Sequence, residues 1–302
     1  MHVVDGDRST SAAYRAAPVE RIDAGDGIVA CRRFGSGPAL LFVHGFPLHG
    51  FTWRKMLPRL ARDFTCIVVD LPGMGDSDWS EATDFEFTGH AQRLKRVIDR
   101  LGIARYQTIA QDTGATIARC LALVDGARMD GLVLLNTEIP GHRPPWIVEY
   151  QWLMRIPGTP AFFRQLLRSS LYLRSSMGFG GCFSDLDLID GEFRSAFVEP
   201  FIRSARRTDG LKRYLVGLHW PIVDALKTRH AEIRMPVLLV WGEDDPTFPI
   251  ALARDMARQI PDCRGLVAVP RSKLLLHEER PDEVCRAVVP FLRGEQAAVA
   301  TT

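Results

Sequence analysis

The stretch Ala110-Gln111-Asp112-Thr113-Gly114-Ala115 closes a short apolar run, Thr108–Ala110, and opens a helical periodicity, Thr113–Leu123. A strand that passes straight into a helix leaves room only for a sharp turn, and the small residues Ala110, Gly114 and Ala115 around Asp112 suit one. Asp112 then stands at the tip of the turn. It is read either as an attacking group presented at a strand end or as the N-cap of the following helix. No G-x-S-x-G occurs anywhere in the chain, which disfavours serine-esterase chemistry.

Outward from this turn the same alternation repeats. Leu40–Val43, Cys66–Val69, Leu132–Leu135, Val237–Trp241 and Leu266–Val269 are short, nearly continuous apolar runs bounded by Gly, Pro, Asp or Asn. Such runs suit strands buried on both faces. Helical periodicities fall between them at Trp53–Ala61, Ala91–Leu101, Leu252–Ile260 and Pro281–Leu292. Strands alternating with helices predict a doubly wound, mostly parallel α/β sheet. Ahead of it, Val19–Asp23 and Ile28–Phe34 around Gly25-Asp26-Gly27 read as a hairpin.

The alternation stops between Leu135 and Val237. That stretch carries aromatic and Arg-rich helical segments, with Trp146, Phe163, Tyr172 and Tyr214 among them. Ligands of open α/β sheets bind beyond the carboxyl ends of the strands, so a helical insertion there predicts a lid over a site. The plainer alternative is a helical domain packed elsewhere. The expected division is a sheet core over residues 19–137 and 229–293, a helical cap over 138–228, and loose tails over 1–18 and 294–302.

Composition narrows the partners. Among 302 residues, 38 Lys and Arg against 36 Asp and Glu leave a net charge of +2 with both signs interspersed, which gives nucleic acid no electrostatic footing. No apolar run is long enough to cross a bilayer, and the N-terminus lacks an apolar signal core, so a cytoplasmic protein is expected, without membrane insertion, as a monomer or homodimer. The six cysteines are scattered singly, with no C-x-x-C pair and no His at metal spacing, and no dinucleotide fingerprint or P-loop occurs. No metal and no cofactor are expected.

Two more turns belong to the same sheet edge: His44-Gly45-Phe46-Pro47 after the first of the core runs, and Asp70-Leu71-Pro72-Gly73-Met74-Gly75-Asp76-Ser77 after the second. Together with the Asp112 turn and the position of the insertion, they resemble the α/β-hydrolase fold over roughly Val19 to Arg293. With Asp at the elbow, the chain is similar to the branch that contains epoxide hydrolases and haloalkane dehalogenases. The resemblance implies attack by Asp112 on a saturated carbon of a small apolar substrate, an alkyl-enzyme ester, and hydrolysis of that ester by a His-activated water. It implies oxyanion donors at the N–H groups of Phe46 and Thr113.

The same resemblance places the orienting acid at Asp245, within Trp241-Gly242-Glu243-Asp244-Asp245, with Glu138 after the preceding strand as the alternative. The base departs from the family pattern. Counting back from Glu279-Arg280-Pro281, the expected His falls at Leu274, and His277 lies three residues later. Either His277 reaches the ester or the usual base is absent, leaving a protein that binds a ligand or catalyses a non-hydrolytic isomerisation or cyclisation. Thr113 stands where dehalogenases place a halide-holding Trp, which gives a halide less support than an epoxide. Epoxide hydrolases use lid tyrosines as acids toward the opening oxygen, and Tyr172 and Tyr214 are expected to fill that role ahead of Tyr150.

Overall fold

A computed structural model describes residues 4–295. Eight strands form one sheet in the order β1-β2-β4-β3-β5-β6-β7-β8. They are β1 Glu20–Asp23, β2 Ile28–Phe34, β3 Ala39–Val43, β4 Thr65–Val69, β5 Tyr106–Gln111, β6 Met129–Leu135, β7 Val237–Gly242 and β8 Cys263–Val269. β1 and β2 pair antiparallel as the expected hairpin, β2 pairs antiparallel with β4, and every later pair is parallel.

The parallel strands read as continuous apolar runs because both of their faces are covered. Leu40, Phe42, Ile109, Leu132, Leu134, Leu238 and Val240 are all fully buried. The coverage comes from α3 (Phe87–Arg100) and α4 (Thr113–Asp125) with α11 (Ile250–Ala257) and α13 (Pro281–Leu292). The helical pattern at Trp53–Ala61 resolves into a 3-10 turn, Gly50–Trp53, and a single turn of helix, α2 (Leu57–Leu60). Pro58 at its start supplies no N–H to continue the ladder backwards.

Of the N-terminal stretch expected as a loose tail, residues 1–3 lie outside the described residues and most of the rest is helical. Val4–Ala16 forms helix α1. Tyr14 packs between the rings of Phe34 and Phe51, at 5.5 and 5.3 Å. Ser11 accepts from Arg54 Nε at 3.1 Å and donates to Glu192 at 2.9 Å. A small, polar composition concealed one buried aromatic and one buried hydroxyl, and burying such a ring is worth about 2 kcal/mol. The end of the expected C-terminal tail, from residue 296, lies outside the described residues.

Between β6 and β7 every regular element is helical. α5 (Pro145–Leu153), α6 (Thr159–Leu166), α7 (Ser170–Arg174), α8 (Glu199–Arg203), α9 (Ala205–Gly217) and α10 (Trp220–Arg229) are joined by two short helical turns, Leu186–Ile189 and Arg194–Val198. α9 packs on the turn after β4. Arg207 Nη1 donates to the Gly75 carbonyl at 2.6 Å, and a Cβ on Gly73 would lie 3.2 Å from the backbone of Gly210. The insertion therefore rests on the carboxyl edge of the sheet, where the turns singled out in the sequence converge.

Candidate active site

Asp112 bridges β5 and α4 with φ 53° and ψ −132°, a conformation that L-residues seldom adopt. It makes no side-chain cap to α4, which removes the simple helix-cap reading. The turn closes because its neighbours lack side chains. A Cβ on Gly114 would lie 2.3 Å from the carbonyl oxygen of His44, and one on Gly45 would lie 2.5 Å from the Cβ of Asp112. Backbones of two strand ends thus approach as only glycine permits.

The approach brings the His44–Pro47 turn against the carboxylate. The Phe46 N–H donates to Asp112 Oδ2 at 2.9 Å, and the backbone N–H of Thr113 lies near enough to the carboxylate to lower its pKa. Burial, then the neighbouring Glu138, push the Asp112 carboxyl well above the ordinary carboxylate range, while the two N–H groups pull it back. His44 pins the turns together, its Nε2 accepting from the Leu71 N–H at 2.8 Å and its Nδ1 lying 2.9 Å from the Gly45 carbonyl. Burial pushes its pKa down to about 4, so it is a neutral strut.

Asp112 opens onto a cavity of about 160 Å³ enclosed between the sheet edge and the insertion. Phe46, Leu48, Trp146, Phe163, Phe179 and Phe201 make most of its wall apolar. Glu138, Tyr150, Tyr172, Cys182 and Thr247 supply the polar or ionisable groups besides Asp112 and Thr113.

The tyrosines do not sit as expected. Tyr214 is fully buried and does not line the cavity; its hydroxyl bonds Thr113 Oγ1 at 3.0 Å, and its ring packs on Phe46 and His90. It positions the turn and has no access to an opening oxygen. Tyr172 does line the cavity, and its hydroxyl lies 2.7 Å from that of Tyr150. Tyr150, ranked behind the other two from sequence, also lines the cavity, and its hydroxyl donates to the Met177 carbonyl at 2.7 Å.

The two acid positions separate in role. Asp245 follows β7 and is buried; Asn136 Nδ2 donates to its Oδ2, and the Thr247 N–H donates to its Oδ1 at 2.8 Å. Burial raises its pKa to about 6, with Asn136 and the Thr247 N–H opposing. Asn136 also accepts from the Gly242 N–H at 2.7 Å, tying the ends of β6 and β7 together. Glu138 lies on the cavity wall. Its Oε2 accepts from Thr116 Oγ1 at 2.5 Å and from Thr137 Oγ1 at 3.0 Å. Behind them Arg119 Nη2 lies 2.7 Å from Thr116 Oγ1, 3.1 Å from Thr137 Oγ1 and 2.7 Å from the Glu138 carbonyl oxygen. Burial raises the Glu138 carboxyl, and the Thr116 bond with the Arg119 charge opposes it.

His277, expected as the base, is not on the cavity wall. It is buried on α12 (Leu276–Glu279), its Nε2 2.7 Å from Thr52 Oγ1 and its ring against Trp53 at 4.8 Å. Its Nδ1 has no hydrogen-bond partner, so it is not joined to Asp245. Burial pushes its pKa down to about 4. Leu274 and Leu275 line the cavity instead. The reason is local: α12 turns His277 toward the 3-10 turn Gly50–Trp53, three residues past the position that meets the site. Among the described residues, no imidazole lines this cavity.

The polar network behind Glu138 was not singled out in the sequence. Thr116 and Arg119 are one turn apart on α4, the spacing that aligns helix side chains, and Thr137 directly precedes Glu138. Nothing in a single sequence marks them as partners until β5 and β6 are paired. Among the described residues no group of three His, Cys, Asp or Glu side chains is placed to hold a metal ion, and no helix is long and apolar enough to cross a membrane.

Comparison with known proteins bears on the fold and the family. The chain is similar to haloalkane dehalogenase 2 of Mycobacterium tuberculosis, with 24% identity over 84% of this chain and 88% of the relative. It is similar to human epoxide hydrolase 4, with 23% identity over 85% and 73%. The crystal structure of a haloalkane dehalogenase from Bradyrhizobium elkani superposes with a TM-score of 0.75 and 24% identity, covering 93% of this chain and 99% of that one. The family model for the alpha/beta hydrolase fold matches residues 38–279, which take in strands β3 to β8, the elbow and the insertion, and the chain belongs to that family of hydrolases.

Proposed function

We propose that this hydrolase opens a small apolar electrophile, an epoxide ahead of an alkyl halide, through an ester of Asp112. The observation that carries the reading is the Asp112 carboxylate itself, with Oδ2 held by the Phe46 N–H at the mouth of a mainly apolar cavity. Oδ1 is then the attacking atom: it forms a bond to a ring carbon as the carbon–oxygen bond of the epoxide breaks. The released alkoxide takes a proton, and the donor on this reading is the bonded phenol pair of the lining residues Tyr150 and Tyr172, once it gives up the bond from the Tyr150 hydroxyl to the Met177 carbonyl. In the ester, Oδ2 becomes the carbonyl oxygen, already seated where N–H groups stabilise an oxyanion. Residues 138–228 act as the cap that closes the cavity, and no cofactor enters the cycle.

The phenol pair favours an epoxide, whose opening oxygen needs a proton. A departing halide needs donors of the indole kind, and Thr113 beside Asp112 supplies none.

Intact-protein mass and product detection after incubation with a terminal epoxide test the reading. An adduct of the full epoxide mass, or its hydrolysis product, is expected from the wild type. Asp112→Ala should lower both by about 10⁴-fold while the protein stays folded. Undiminished turnover by that variant sinks the nucleophile assignment.

A second reading has its own observation. With Leu274 on the cavity wall and His277 bonded to Thr52, the imidazole that would activate water is missing from the site. On that reading the chain stops at the ester, or binds or isomerises its ligand without hydrolysis.

A further inference from the structure

We infer that Glu138 is the general base that releases the ester, taking over the step for which the cavity holds no imidazole. The inference rests on the Asp112 ester proposed above. The carboxylates that line the cavity are Asp112 and Glu138. Asp112 is consumed by the first half of the reaction, so Glu138 is the carboxylate left beside the ester. Asp245 is not available: it does not line the cavity, and its two oxygens are engaged by Asn136 and Thr247.

Glu138 is built to stay in place. Thr116 and Thr137 hydroxyls hold one of its oxygens, and Arg119 holds both hydroxyls and the Glu138 carbonyl from behind. Arg119 is completely buried, which provides a compensating charge for a carboxylate in an apolar wall. The Thr137 hydroxyl also lies 2.9 Å from the Asp112 carbonyl oxygen, so one residue ties the elbow to the Glu138 carboxylate. A structural carboxylate would be sealed inside such a network, whereas this one reaches the cavity.

In the step, the Glu138 carboxylate takes a proton from water as the oxygen of that water bonds to Cγ of the Asp112 ester. The Phe46 and Thr113 N–H groups hold the oxyanion at Oδ2. Collapse breaks the bond between Cγ and Oδ1, Oδ1 leaves with the substrate as an alkoxide that takes the proton back from Glu138, and the Asp112 carboxyl, now carrying the oxygen of the water, gives its proton to the phenolate left by ring opening, so that both carboxylates are restored.

The experiment uses 1,2-epoxyhexane with wild type and Glu138→Gln, following adduct by quenched-flow mass spectrometry and diol by chromatography across pH. Wild type should turn over with little adduct. Glu138→Gln, which keeps the shape but cannot take a proton, should accumulate one adduct per chain and release it at least about 100-fold more slowly. Wild-type release should also fall as pH drops and Glu138 gains its proton, a limb that the variant lacks and that a purely structural role would not produce. Glu138→Asp serves as a second variant and should release faster than Glu138→Gln. Diol formation by Glu138→Gln at the wild-type rate overturns the assignment, as does a wild-type enzyme that stops at the adduct. No adduct on Glu138→Gln, with turnover unaffected by Asp112→Ala, instead overturns the ester reading beneath it.

Discussion

The turn after β5 and the loop after β8 stand at the same edge of one sheet. At the first, Asp112 is fixed by two glycines, a neighbouring strand end and two backbone N–H groups. At the second, a short helix carries His277 away from the cavity and leaves Leu274 on its wall. The difference lies in how much of each geometry is backbone. The elbow is built from main-chain contacts between adjacent central strands, so few residues are allowed there. The loop after the edge strand β8 is tied to the turn after β7 and to the insertion, yet a single side chain decides what it offers the cavity. A carboxylate at the first turn and an imidazole at the second can therefore part company without disturbing the fold.

The sharpest way to break this contrast is Leu274→His in the Glu138→Gln background. If only the side chain of the loop departs from the family pattern, an imidazole at 274 should restore ester release by about 100-fold, read as diol formation. Release that stays at the variant level would show that the backbone of the loop has also moved.

A second test concerns where His277 went. Its pKa in the folded chain is about 4, below the ordinary value of 6.5, so it contributes stability above pH 6.5 that is lost as pH falls from there toward 4. The loss should reach about 2 kcal/mol by pH 5, and Glu138 and Asp245, whose values are raised, act in the opposite sense. His277→Gln, which can still donate to Thr52, should flatten the pH dependence of thermal unfolding by about that amount. An unchanged slope would mean that His277 is not held neutral in this pocket.

The smallest expected effect is at the elbow's support. Tyr214→Phe removes one hydrogen bond to Thr113 and keeps the ring on Phe46, and should cost about 1 kcal/mol in denaturant unfolding with ester formation retained. Loss of ester formation would show that this phenol takes part in the chemistry after all.

Much of the architecture was legible in advance because it rests on patterns of a few residues. Continuous apolar runs marked β3 to β8, and the small residues around Asp112 marked the elbow. The N-terminal helix is not marked in the sequence because Tyr14 and Ser11 are buried by contacts such as those with Phe34, Phe51 and Arg54, each at least twenty residues away. Tyr150 and Tyr214 exchanged places for the same kind of reason: depth within an insertion says nothing about which face a helix turns to a cavity.

By itself the sequence determined the sheet and the sharp turn that presents Asp112, since each follows from local backbone preference and from burial on both faces of a strand. Only the tertiary structure decided where the ionisable groups point. It sent His277 to Thr52, joined Asp245 to Asn136, and set Glu138 on the cavity wall with Arg119 behind it. Those pairings span β5, β6, β7 and the loop after β8, and a hydrogen bond between groups so far apart in the chain exists only once the sheet has brought them to one edge.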